Sequence, residues 1–165
     1  MMTLTAINAM SAAEFTAAFG DVAEHSPWVA RIVASLRPFA TREALVEAFT
    51  ETVRGAARQA QLALIRAHPD LATKAKLTED SSREQAGAGL DTLSPEEFAR
   101  FTDLNNRYKA QFGFPFIFAV KEATKHEILA SFAERVNHEA DKEFVTALAQ
   151  VCRIFRFRIE DRVSP

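Results

Sequence analysis

One cysteine, Cys152, stands among 165 residues, which excludes an internal disulfide framework and a cysteine-rich zinc site. Glycine is scarce at five, and tyrosine and tryptophan occur once each. Runs of β-branched residues are nearly absent, so the chain has little of what builds strands and hairpins. No apolar run reaches the roughly 18 residues of a membrane-spanning helix. A basic excess is missing too. The 20 Lys and Arg against 22 Asp and Glu give a net charge of −2, which counts against nucleic-acid binding. The start, Met-Met-Thr-Leu-Thr-Ala-Ile-Asn, lacks the basic and long apolar regions of a secretory signal. The end, Arg-Val-Ser-Pro, is not a peroxisomal Ser-Lys-Leu address. A cytoplasmic location is the expectation. No His-Glu-x-x-His, EF-hand, paired-cysteine, phosphate-loop or Gly-x-Ser-x-Gly pattern occurs, so no metal or nucleotide cofactor is expected.

What the chain has is phenylalanine, 14 of them, within a 48% hydrophobic and 25% charged composition typical of a globular protein. Large apolar side chains with little loop chemistry suit helices. The punctuation agrees. Ser11-Ala-Ala-Glu14 has capping-box spacing, with Phe15 and Phe19 before Gly20. A short helix is expected from His25-Ser-Pro-Trp28 to near Arg37-Pro38, and another from Thr41, interrupted at Gly55 and resuming to Arg66. Pro69 disfavours helical backbone at His68 and ends that stretch. Residues 70–93 are polar and less periodic, with a short helix around Ser81–Ala88. Ser94-Pro-Glu-Glu97 opens a longer helix to Gly113, Thr124-Lys-His-Glu127 opens the next, and the last runs from about Glu139 to Asp161. With no repeat or linker, residues 1–165 read as a single compact all-α domain of about seven to nine helices.

Four places carry potential chemistry. His68 sits at a helix C-terminus, which favours a positive charge by about 0.3–1 kcal/mol and suits a proton donor. Locally, the simpler reading is a histidine that caps its own helix carbonyls. Ser81-Ser-Arg-Glu-Gln85 is either a Ser81–Glu84 capping box or a polar wall facing a small substrate. Gln111-Phe-Gly-Phe-Pro-Phe-Ile-Phe118 turns while staying apolar, so its backbone polar groups must be satisfied by the protein or by a polar ligand. In the last helix, Phe144, Leu148, Val151 and Phe155 share one face, and Arg158 returns close to it, whereas Arg153 and Arg156 point away. A core-directed guanidinium needs an anionic or strongly polar partner. Snorkelling near the helix end, a glutamate, or an anion-binding pocket would each meet that need. His25, His126 and His138 read as structural or solvent-exposed, and Cys152 as core.

Taken together these segments resemble the 2-oxo-4-hydroxy-4-carboxy-5-ureidoimidazoline (OHCU) decarboxylase family. The resemblance runs over nearly the whole chain. It is strongest across Leu64–Ala72, Ser81–Gln85 and Tyr108–Ile117, with Glu24–Ala30 and Ile154–Ile159 adding to it. It implies a helical homodimer that acts without metal or organic cofactor on a small ureidoimidazoline, forming (S)-allantoin and carbon dioxide in urate breakdown. It further implies His68 as catalytic acid/base and Glu84 as its acidic companion. Pro69, Ser81, Ser82, Arg83, Glu84 and Gln85 would line the substrate. Phe116, Ile117, Phe118, Ala119 and Val120 would offer backbone contacts, and Arg158 would supply the guanidinium. Phe157 and Ile159 stand where the family more often has leucine, a swap that keeps the apolar character. The other readings are a non-catalytic helical module that binds a small ligand or partner, and a hydrolase of a neighbouring ureide with His68 as general base.

Overall fold

A computed structural model describes residues 1–165. It contains nine helices: α1 (Leu4–Ala9), α2 (Ala12–Phe19), α3 (Trp28–Ala34), α4 (Arg42–Arg54), α5 (Arg58–Arg66), α6 (Glu79–Gly87), α7 (Pro95–Phe112), α8 (Lys125–Arg135) and α9 (Ala140–Glu160). The all-α expectation holds. The only β-type pairing is an isolated parallel bridge between Met2 and Val163. No helix is long and apolar enough to cross a membrane.

Capping chemistry places most helix starts where the sequence signals them. Ser11 and Ser94 form reciprocal capping boxes with Glu14 and Glu97. Thr41 and Thr124 accept from the backbone N–H groups of Ala44 and Glu127. Gly113, at φ 75°, takes the left-handed conformation that closes α7, a position where glycine carries no Cβ penalty. Two expectations change. α1 was not foreseen; it is six residues long and capped by Thr3, too short for helical periodicity to register. α6 starts earlier than expected, capped by Thr78, whose hydroxyl accepts from Ser81 N–H. Ser81 therefore lies one turn inside the helix, and no Ser81–Glu84 capping box opens it. Glu79 and Asp80 favour this earlier start by placing negative charge in the first turn.

The chain divides into two compact units, residues 1–67 with 151–165, and residues 68–150. In the first unit α3 packs against α2 and α4. Its core is a chain of rings: Phe15 stacks on Phe19 with centroids 4.7 Å apart, Phe19 reaches Phe49, and Phe49 meets Phe155 edge-on at 5.8 Å. Polar links tie the surrounding segments together. Asn8 exchanges two 2.8 Å hydrogen bonds with the Phe39 backbone, and Arg156 makes a bidentate contact with Glu43.

The second unit contains α6, α7, α8 and the start of α9. Tyr108, fully buried, sits among Phe112, Phe114, Phe116 and Phe132, with ring centroids 4.4–5.9 Å away. Phe116 and Phe132 stack at 3.8 Å. The phenylalanine bias of the sequence is thus largely the material of two aromatic cores.

Candidate active site

The second unit begins at His68, which is buried at 7% exposure. α5 ends at Arg66 with Ala67 as its cap, so the proline does terminate the helix immediately before the histidine. Its Nε2 is buried and makes no hydrogen bond to another protein atom, while other parts of the residue are engaged with their surroundings. The next residues are held firmly. Gln85 Oε1 accepts from Ala72 N–H at 3.0 Å, and Gln85 Nε2 donates to the Asp70 carbonyl at 3.3 Å. Asn105 Nδ2 donates to the Leu71 carbonyl at 2.8 Å, and Lys109 Nζ donates to the Asp70 carboxylate at 2.6 Å.

Gln85 thereby joins the segment after His68 to α6, the helix that carries Ser81, Ser82, Arg83 and Glu84. Ser81 and Gln85 are buried and Glu84 is half-buried. Ser82 and Arg83 are exposed, and the Arg83 guanidinium pairs with Asp80 one turn earlier. Within Ser81–Gln85, the residues facing inward are therefore Ser81, Glu84 and Gln85. An open groove of about 470 Å³ borders Ala72, lined further by Thr73, Lys74, Leu90, Asp91 and Phe98. None of the candidate catalytic or substrate-binding residues lines it.

The Phe116–Val120 turn is apolar and, except for half-buried Phe118, buried. Much of its backbone is satisfied within the protein. Arg135 Nη1 donates to the Ile117 carbonyl at 2.7 Å, Gln150 Oε1 accepts from Ala119 N–H at 2.9 Å, and the Val120 carbonyl accepts from Ala123 N–H. Arg135 also lies 4.3 Å from the centre of the Phe116 ring. A second partner anchors this arginine: Glu143, with no solvent exposure, accepts from Arg135 Nε at 2.9 Å and from Tyr108 Oη at 2.6 Å. His138 Nδ1 lies 3.0 Å from the other Glu143 oxygen, so this histidine belongs to a structural network. Burial and the neighbouring Glu143 hold the Tyr108 phenol well above its ordinary ionisation range.

Arg158 belongs to the first unit and is 2% exposed, as its helical phase predicts. Its partner is a glutamate: Nη1 lies 2.8 Å from Glu24 Oε2 and 3.3 Å from the Val22 carbonyl. Glu24 is itself 2% exposed. Sequence reasoning singled out neither Glu24, Asn105 nor Glu143 as functional. A signal existed for two of them: Asn105 follows Phe101, and Glu143 precedes Ala147, by one helical turn on apolar faces. Nowhere do three or more His, Cys, Asp or Glu side chains gather in a way that could hold a metal ion.

The family model for OHCU decarboxylase matches residues 8–160. The 2-oxo-4-hydroxy-4-carboxy-5-ureidoimidazoline decarboxylase of Halalkalicoccus jeotgali is 42% identical, covering 99% of this chain and 93% of that protein. The uric acid degradation bifunctional protein PucL of Bacillus subtilis is also 42% identical, over 99% of this chain and 33% of its own. Among solved structures, a crystal structure of (S)-allantoin synthase superposes with a TM-score of 0.81 at 33% identity, covering 98% of this chain. This chain spans about half, 54%, of that protein. With the family model covering nearly its whole length, the chain belongs to the OHCU decarboxylase family of carboxy-lyases.

Proposed function

We propose that the protein removes carbon dioxide from 2-oxo-4-hydroxy-4-carboxy-5-ureidoimidazoline and forms (S)-allantoin, as a step in urate breakdown. One observation carries this reading: the family match spans residues 8–160 and so takes in His68, Ser81–Gln85, Phe116–Val120 and Arg158. The burial of His68 supports it, as do the hydrogen bonds by which Gln85 ties Asp70 and Ala72, just after His68, to the helix bearing Glu84.

The chemistry follows from the substrate. The bond from ring carbon to carboxylate breaks, carbon dioxide leaves, and the electron pair delocalises into the unsaturated ring. The hydroxyl-bearing carbon gives up its hydroxyl proton and becomes the ring carbonyl of allantoin, and a proton must reach the adjacent, ureido-bearing carbon on one face only. His68 is the acid/base group for this transfer, and Glu84 manages the neighbouring hydroxyl or ring proton. A positioned group of this kind contributes about 10²–10⁴ in rate. Ser81 and Gln85 form the polar surround beside Pro69, with Ser82 and Arg83 at its exposed edge, and the Phe116–Val120 backbone offers the amides that its own structure leaves available. Arg158 supplies positive charge for the carboxylate or ureido oxygen. No step calls on a metal or organic cofactor, and the reading takes the protein as a cytoplasmic homodimer.

Freshly generated substrate, followed by absorbance and circular dichroism with and without the protein, tests the proposal. Accelerated loss of substrate with release of carbon dioxide and one allantoin enantiomer is expected. An unchanged rate with racemic product would reject it.

A further inference from the structure

The backbone directly after His68 and Pro69 takes an unfavourable course. Ala72 has φ of 55° and is buried at 7% exposure. Residues other than glycine avoid this left-handed region and hold it only where their surroundings over-determine it. Here the surroundings are side chains of α6 and α7: Gln85 brackets the turn at Asp70 and Ala72, and Asn105 grips the carbonyl between them.

Asn105 is the informative member. It lies inside α7 at 6% exposure, one turn from Phe101 and next to Leu104. Its Nδ2 serves the Leu71 carbonyl, whereas its Oδ1 is buried and has no hydrogen-bond partner. A buried amide with one end unsatisfied is a poor way to fill a helix face, and an apolar side chain of similar size would pack there without that cost. Packing does not account for the asparagine. Its grip on the turn does.

We propose that Asn105 is a positioning residue: by fixing the Leu71 carbonyl it sets the backbone that carries His68, and with it the aim of the imidazole at the substrate. This rests on the reading of His68 as the acid/base group. Transition-state chemistry is far more sensitive to such aim than substrate binding is, since a misplacement of about 1 Å can cost on the order of 10²-fold in rate.

The test compares wild type, Asn105→Leu and Asn105→Ser by steady-state kinetics and by NMR of the His68 ring, assigned from the signal that His68→Asn removes. In the folded variants kcat should fall roughly 10- to 100-fold with KM changed by less than about three-fold. The His68 ring signals should shift as well. Asn105→Ser, which is smaller and leaves room for water, decides the matter if Asn105→Leu does not fold. Unchanged kcat in a folded variant, or unmoved His68 signals, would overturn the proposal. If the wild-type protein itself fails to decarboxylate the substrate, the proposed function falls, and the ring signals alone then decide whether Asn105 positions His68.

Discussion

Arg158 Nη1 lies 2.8 Å from Glu24 Oε2, and the two residues, 134 positions apart in sequence, are each 2% exposed. The guanidinium therefore meets its need for a negative partner from within the protein. Any role it has toward a substrate is played by a cation already partly neutralised and held in one orientation.

Removing one member of this pair should be costly. Glu24→Ala leaves a buried positive charge without its carboxylate, and a loss of about 3–5 kcal/mol is expected. Urea unfolding followed by circular dichroism measures it. Replacing both residues together by leucine and methionine should recover most of that stability, because no charge is then buried alone. The double variant should nonetheless be catalytically impaired if Arg158 serves the substrate.

The second buried carboxylate makes a parallel case. Glu143 receives Tyr108, Arg135 and His138, and Arg135 in turn holds the Ile117 carbonyl. Glu143→Gln should destabilise the protein by roughly 3–5 kcal/mol in thermal or urea unfolding. Tyr108→Phe, which removes one donor and leaves Arg135 paired, should cost less, about 1.5–3 kcal/mol.

Tyr108 is the sole tyrosine, so its ionisation is readable in the absorbance of the whole protein. Its folded-state pKa is raised above the usual value by burial and by Glu143. Its contribution to stability is therefore complete below about pH 10, where the unfolded phenol is also neutral, and declines as pH rises beyond that. Alkaline titration should show no tyrosinate until helical ellipticity is lost. Tyrosinate appearing first, in a folded protein, would contradict the buried Tyr108–Glu143 contact.

At the acid end the marker is Glu97. The Ser94 backbone N–H and the Lys125 ammonium hold its pKa down to about 2 from 4.5. A lowered carboxylate pKa contributes stability that is fully present above pH 4.5 and is lost as pH falls through about 2. Glu97→Gln should accordingly be less stable than wild type at neutral pH, and the difference should vanish toward pH 2. Unfolding curves of both proteins across that range check this.

Helix boundaries were legible where a local residue dictates them. Pro69 stopped α5, Gly113 closed α7, and Ser11 and Ser94 opened their helices as capping boxes. Thr78 was missed because Thr78, Ser81 and Ser82 are all competent caps, and only the folded chain selects among them. The inward direction of Arg158 followed from helical phase, but Glu24 as its partner did not, since pairing across so many residues depends on tertiary structure. The same holds for Asn105 and Gln85. An asparagine or glutamine on a helix announces no partner until the Asp70–Ala72 turn folds against it. The apolar turn at Phe116–Val120 was recognisable, whereas the answer to its backbone needs, Arg135 and Gln150, lay in later helices.

His68 is the group proposed to perform the proton transfer. The most direct test of this role is the turnover of freshly generated substrate by His68→Asn beside wild type, with product chirality and far-ultraviolet circular dichroism recorded together. A rate loss of about 10²–10⁴ with an unchanged helical spectrum is expected. Wild-type rate and a single allantoin enantiomer from His68→Asn would contradict it.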